Sequence, residues 1–257
     1  MSTRFALPFA LLLSVSALAQ SQEKPALPNL KPYTEGGPFV LNVLDTTPNA
    51  KAWANVILHP RNFLNCSGSE IALCYYSGPA GPAPCRLRPD GTEADCTCYV
   101  IPAGASSTPN LWKVDIHAIL NLDVYRDTVK RCGQQGGACS KTNSAPACAS
   151  ITQNTFYPSA TLVSTFSTYM AQNNGLSIKQ ISCPSGKYVG CMTAPCKKLN
   201  KTDAKTGLEL AECVCPAWTG PFQIAQGDGT AQCTLDDGYV WSAATHAGKP
   251  VSGQSGK

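Results

Sequence analysis

Cysteine is the residue type through which this chain has most chemistry to offer: it has 14, an even number, all beyond residue 65. Thiols at set spacings can bind metal, exchange electrons or close disulfides, and the spacing discriminates among these. A zinc site usually shows cysteine pairs two to four apart, with a second pair or histidines at a fixed distance. This sequence has no Cys-x-x-Cys, and none of its three histidines, His59, His117 and His246, neighbours a cysteine. A catalytic dithiol needs a thiol of depressed pKa, commonly at a helix start. Here the Cys-x-Cys pairs Cys96/Cys98 and Cys213/Cys215 follow Asp95 and Glu212, and a nearby carboxylate makes the thiolate scarcer. Disulfides remain, and in an oxidising compartment the expectation is seven, using Cys66, Cys74, Cys85, Cys96, Cys98, Cys132, Cys139, Cys148, Cys183, Cys191, Cys196, Cys213, Cys215 and Cys233. No metal or other cofactor is expected.

The cysteines fall into a repeat. Cys66 to Gly104 and Cys183 to Gly220 each hold five cysteines in the same order, with seven residues between the first two, an Ala-Pro-Cys third, and a closing Cys-x-Cys after an acidic residue. Asp90-Gly91 is a strong hairpin signal in the first copy, and Lys205-Thr206-Gly207 turns the chain in the second. The cysteines of Cys-x-Cys then stand at i and i+2 of a strand, so both leave one face and must reach different partners. Five is odd, so at least one cysteine of each copy pairs outside it, with the other copy or with Cys132, Cys139, Cys148 or Cys233. The pairing is otherwise open.

Other residues could act at a site. In LWKVDIHA, residues 111–118, alternation sends Trp112, Val114 and Ile116 one way and Lys113, Asp115 and His117 the other. Asp115 and His117 at i and i+2 are spaced for a carboxylate to orient an imidazole base, with Lys113 extending the row; the plainer reading is a solvated strand face. Tyr75, Tyr76, Trp218 and Phe222, with Tyr239 and Trp241 beyond, are aromatics at loop ends. They form either a ligand platform or plugs in the core. Asn65-Cys66-Ser67 and Asn200-Lys201-Thr202 match the N-glycosylation acceptor pattern. There is no Gly-x-Ser-x-Gly, His-Glu-x-x-His or P-loop.

The elements that must position these residues read as follows. Residues 1–19 have Arg4, an apolar run from Phe5 to Leu18 and Ala17-Leu18-Ala19, the pattern of a signal peptide cut before Gln20. The run is shorter than the roughly 20 residues that span a bilayer, so no transmembrane segment is expected after cleavage. Residues 20–37 form a proline-bearing arm, and Phe39 to Asp45 reads as a strand. Asn121 should cap a helix carrying Leu122, Tyr125 and Val129 that ends near Cys132-Gly133. A second helix is expected from Ser159, with Leu162, Val163, Phe166, Tyr169 and Met170 at helical spacing and Gly175 as its cap. Residues 243–257, small and Gly-rich, should fray.

The expected fold is therefore α+β and β-weighted: a disulfide-rich body over 38–242. In it two duplicated five-cysteine β-hairpin modules, 66–104 and 183–220, flank a helical segment, 105–175, stapled by Cys132, Cys139 and Cys148. A net charge of only +4 without a basic run excludes a nucleic-acid partner. The functional expectation is a secreted or periplasmic, non-enzymatic binding, structural or inhibitor-like protein with an unknown protein or glycan ligand outside the cytoplasm. The alternative is a secreted hydrolase using a carboxylate or the Asp115/His117 face.

Overall fold

The computed structural model describes residues 63–75, 84–167, 169–173, 179–220, 222–226, 232–243, 245–246 and 249–250. The expected leader, the arm, the 39–45 strand, His59, Tyr76, Gly175 and residues 251–257 lie outside them. Fourteen cysteines close seven disulfides, in a β-weighted chain with few helices.

Among the described residues, eight strands come first: β1 (Phe63–Ser67), β2 (Ile71–Leu73), β3 (Cys85–Leu87), β4 (Glu93–Ile101), β5 (Gly104–Ala105), β6 (Thr108–Pro109), β7 (Leu111–Asp115) and β8 (Leu162–Val163). Eight follow: β9 (Lys179–Cys183), β10 (Lys187–Val189), β11 (Pro195–Thr202), β12 (Glu209–Thr219), β13 (Phe222–Gln226), β14 (Tyr239–Ser242), β15 (Thr245–His246) and β16 (Lys249–Pro250). The helices are α1 (Leu122–Cys132), α2 (Pro146–Thr152) and the single turn α3 (Tyr169–Asn173).

The centre is the antiparallel pair β4–β12, in which Cys96 opposes Cys213, Cys98 opposes Ala211 and Ala94 opposes Cys215. Along the outer edge of β4 lie β2 and β3, and along that of β12 lie β10 and β11. Counted from the cysteines, the registers coincide. Ile71↔Ile101 stands three residues outside Cys74 and Cys98, as Tyr188↔Trp218 does outside Cys191 and Cys215. Arg86↔Asp95 and Lys197↔Glu212 each set a basic residue against an acidic one, next to Cys85/Cys96 and Cys196/Cys213. Cys66 opposes Trp112 where β1 pairs β7, and Cys183 opposes Phe222 where β9 pairs β13.

The disulfides follow the same order. Cys74–Cys98 and Cys85–Cys96 bridge the first set, and Cys191–Cys215 and Cys196–Cys213 the second. Each Cys-x-Cys thus reaches two different partners from one strand face. The first cysteines bond outside the two stretches, Cys66 to Cys148 and Cys183 to Cys233. Cys132–Cys139 clips the end of α1 to the following turn.

Two short strands complete the sheet. β14 runs antiparallel to β3 and parallel to β10, closing the ring β3–β4–β12–β10–β14. β8 runs antiparallel to β11, and the next residue, Ser164, bridges Ala72 of β2 in parallel. Ser164 Oγ donates to Cys74 Sγ at 3.2 Å, and Ser242 Oγ to Cys191 Sγ at 3.5 Å.

The cap expected at Asn121 is present: its side chain accepts from Asp123 N and Val124 N, both at 3.1 Å. α1 ends at Gly133, φ +75°, a conformation that suits a residue lacking Cβ. It buries Tyr125, Thr128 and Cys132. The helix expected from Ser159 does not form. Leu162 to Ser167 are extended and buried throughout, because the segment is wedged between β2 and β11 and, at Phe166, against β7; only Tyr169–Asn173 turns into a helix. The stretch 105–175 is consequently mixed, supplying β6 to β8 besides the helices. Within the stretch from Ala243, Thr245–His246 pairs with β13 and Lys249–Pro250 with β12.

Three apolar clusters fill the interior. One packs Trp112, Tyr99, Phe156 and Tyr157 between β1, β7 and the helices. The second is largely sulfur, gathering Cys74, Cys85, Cys96, Cys98, Cys191, Cys196, Cys213 and Cys215 with small residues. The third sets Cys183, Tyr188, Phe222, Ile224 and Trp241 together.

Candidate functional site

The row of Lys113, Asp115 and His117 is broken by the backbone. β7 stops at Asp115, and Ile116–Ala118 form a 3-10 turn, so His117 does not follow Asp115 on a strand face. Asp115 is fully buried, hence no part of a solvated face. Lys113 is half-buried and reaches sideways: its Nζ donates to Asn65 Oδ1 on β1. Burial lowers the Lys113 pKa from the usual lysine value, since desolvation disfavours the ammonium.

The aromatic candidates are dispersed. Phe222 is buried and stacks on Tyr188 with ring centroids 4.8 Å apart. Tyr75 is buried and meets Phe166 edge to face. Trp241 is buried and donates Nε1–H to Gln232 O at 2.8 Å. Trp218 is half-buried on β12, opposite Tyr188. Tyr239 is half-buried too, with the Arg86 guanidinium 5.4 Å from its ring centroid. These residues fill two separate clusters and an edge, and only Trp218 and Tyr239 keep an outward part.

Sulfur atoms do approach one another closely: Cys74, Cys98 and Cys213 lie within 4.8 Å, as do Cys74, Cys191 and Cys215, and Cys85, Cys96 and Cys191. Every one of them is bonded in a disulfide, so none offers the thiolate that a metal requires.

Two polar groupings stand out beyond the expected residues. Surface charges pair along the hairpins: Arg88 with Asp95 at 2.9 Å and with Glu93, and Lys198 with Glu70 at 2.7 Å and Glu209 at 3.0 Å. Burial works against the Arg88 cation, yet Asp95 and Glu93 raise its pKa on balance. A buried node centres on Thr193, whose Oγ1 donates to Ala118 O at 2.9 Å and accepts from Leu120 N at 2.8 Å, while its carbonyl accepts from Tyr157 OH at 2.7 Å. This node joins the segment after β7 to the loop before β11. Neither it nor Asn65 was marked by sequence spacing; Asn65 drew attention only as a glycosylation acceptor.

Comparison with family models, with curated proteins and with solved structures found no match to this chain. Among the described residues, no helix is long and apolar enough to cross a membrane. Seven disulfides suit an oxidising environment outside the cytoplasm.

Proposed function

We propose that this chain is an exported, non-enzymatic binding or structural protein, built from one six-cysteine unit written twice. The observation that carries the architecture is the bridge order. Taking Cys148 and Cys233 as sixth members, first pairs with sixth, second with fifth and third with fourth, in both sets. The shared registers beside these bridges support the same reading. The first strand after each sixth cysteine then lies on the other unit, β14 on β3 and β8 on β11. The first unit also carries the α1–α2 insertion with its own bridge, Cys132–Cys139.

A protein made this way keeps its shape by covalent closure. Each bridge typically contributes about 2–4 kcal/mol, largely by restricting the unfolded chain. That suits persistence outside the cell, and the burial of Asp115 away from any solvated strand face gives hydrolysis no support. The outward part of the half-buried Trp218 on β12 is the surface we assign to ligand capture.

The test uses the mature protein purified from outside the cytoplasm without reductant. Immobilised, it should retain a glycan or protein of that compartment, and Trp218→Ala should weaken retention while leaving the thermal midpoint within a few degrees. Turnover of an offered glycan or peptide, lost in a folded Asp115→Asn variant, would overturn the non-enzymatic reading.

A further inference from the structure

β1 and β7 place Asn65 directly opposite Lys113, and the hydrogen bond from Lys113 Nζ to Asn65 Oδ1 sets the amine nitrogen beside the amide carbon Cγ. Both residues are clamped. On the far edge of β7, Lys113 N donates to Phe166 O at 2.8 Å and Phe166 N to Lys113 O at 3.1 Å. Asn65 O accepts from Asn143 N at 2.9 Å, its Nδ2 donates to Ser140 O at 3.5 Å, and the next residue is held by the Cys66–Cys148 bridge. Asp115, two residues along β7 on the Lys113 face, is a fully buried carboxyl.

We infer that Lys113 and Asn65 are a self-crosslinking pair, joined after folding by an amide bond between Lys113 Nζ and Asn65 Cγ. The neutral amine attacks Cγ with its lone pair, the new C–N bond forms, and the bond from Cγ to Nδ2 breaks. One Nζ proton passes to Nδ2, which leaves as ammonia. Atoms balance without oxidant or reductant. Burial that depresses the Lys113 pKa raises the share of neutral amine. Fixed opposition of the two groups supplies the effective concentration that an amine–amide reaction lacks in solution. Ser182 opposes Gln223 at the corresponding place on β9 and β13, so the link belongs to the β1–β7 pair alone.

The experiment takes the full chain secreted from a host, reduces and alkylates every cysteine, and maps its peptides. The expected result is a branched peptide joining the segments that contain Asn65 and Lys113, lighter than their sum by one ammonia and resistant to reductant. The intact mass cannot decide this, because a mature chain beginning at Gln20 loses the same ammonia on cyclising. Lys113→Arg keeps a cation facing Asn65 and must show only linear peptides. Two linear, unmodified peptides from the folded wild-type protein, or a glycan on Asn65, would overturn the crosslink.

Discussion

Cys96 stands directly opposite Cys213 across β4 and β12, yet each is bonded away from the other, to Cys85 and to Cys196. The antiparallel pairing is therefore symmetric about the fourth cysteine of each set. Nearby, Cys96 Sγ lies 3.5 Å from Cys191 Sγ of a different bridge, so the sulfur core is continuous across the two sets.

Equivalent bridges should accordingly be worth similar amounts. Cys85–Cys96 and Cys196–Cys213 span 11 and 17 residues, for which loop closure gives about 3 kcal/mol each. Cys66–Cys148 spans 82, which gives about 4.5 kcal/mol. Replacing each pair by alanine and unfolding in denaturant without reductant should give near-equal losses for the first two and a larger loss for the third. A Cys85/Cys96 loss far from that of Cys196/Cys213 would count against a duplicated unit.

How far the sequence foretold this differs by element. Cys-x-Cys on a strand had to reach two partners, and the odd count of five had to send one cysteine outside; both follow from geometry and arithmetic alone. Cys148 and Cys233, the partners of Cys66 and Cys183, stayed hidden because the two spans differ, 82 residues against 50. The segment after Ser159 misled for a physical reason. Leu162 to Ser167 are buried on both faces, so apolar spacing could not separate strand from helix, while the run of Thr, Val, Ser and Phe favoured a strand. Lys113 was read against its strand neighbours, whereas its partner came from 48 residues away. A single sequence does not display such pairing.

Gly104, which closes the first repeat stretch, sits at φ +81°, and an added Cβ would fall 2.6 Å from Asn110 N and 2.8 Å from Thr108 O. Both are backbone atoms, one on β6 and one just after it, and cannot swing aside. Gly104→Ala should cost about 1–3 kcal/mol, read as a lower denaturation midpoint. By contrast Gly207, at φ +71° with no atom within 4 Å, should lose only about 1 kcal/mol on the same change.

Alkali should destabilise the fold through two buried phenols. Burial, with Asp203 nearby, pushes Tyr99 up to about 12, and burial raises Tyr157 as well. An unfolded tyrosine loses its proton near pH 10. Above that pH the unfolded chain binds fewer protons than the folded one, so stability falls as pH rises above about 10, and goes on falling past the folded-state value of Tyr99 while Tyr157 keeps its proton. Below pH 10 neither phenol contributes a pH dependence. Denaturant midpoints measured with brief exposures across this window should fall, and Tyr99→Phe should flatten part of the slope. An unchanged slope in that variant would mean that Tyr99 ionises as an exposed phenol does.

Reduction should begin at one bridge. Thirteen of the fourteen cysteines are buried, and Cys233 alone is half-buried. Thiol–disulfide exchange requires the attacking thiolate to reach a sulfur, so attack on the native protein is directed to Cys183–Cys233. This bridge closes a 50-residue span that includes β10 to β13, yet Cys191–Cys215 and Cys196–Cys213 close smaller loops inside it. Opening it should therefore leave the central β4–β12 pairing in place. Limited treatment with a mild reductant, followed by alkylation and peptide mapping, should label Cys183 and Cys233 together before any other pair. Further labelling should then require denaturant, because the remaining sulfurs are reached only by unfolding the core. Simultaneous labelling of all the cysteines in native buffer would mean instead that the sulfur core opens as one unit.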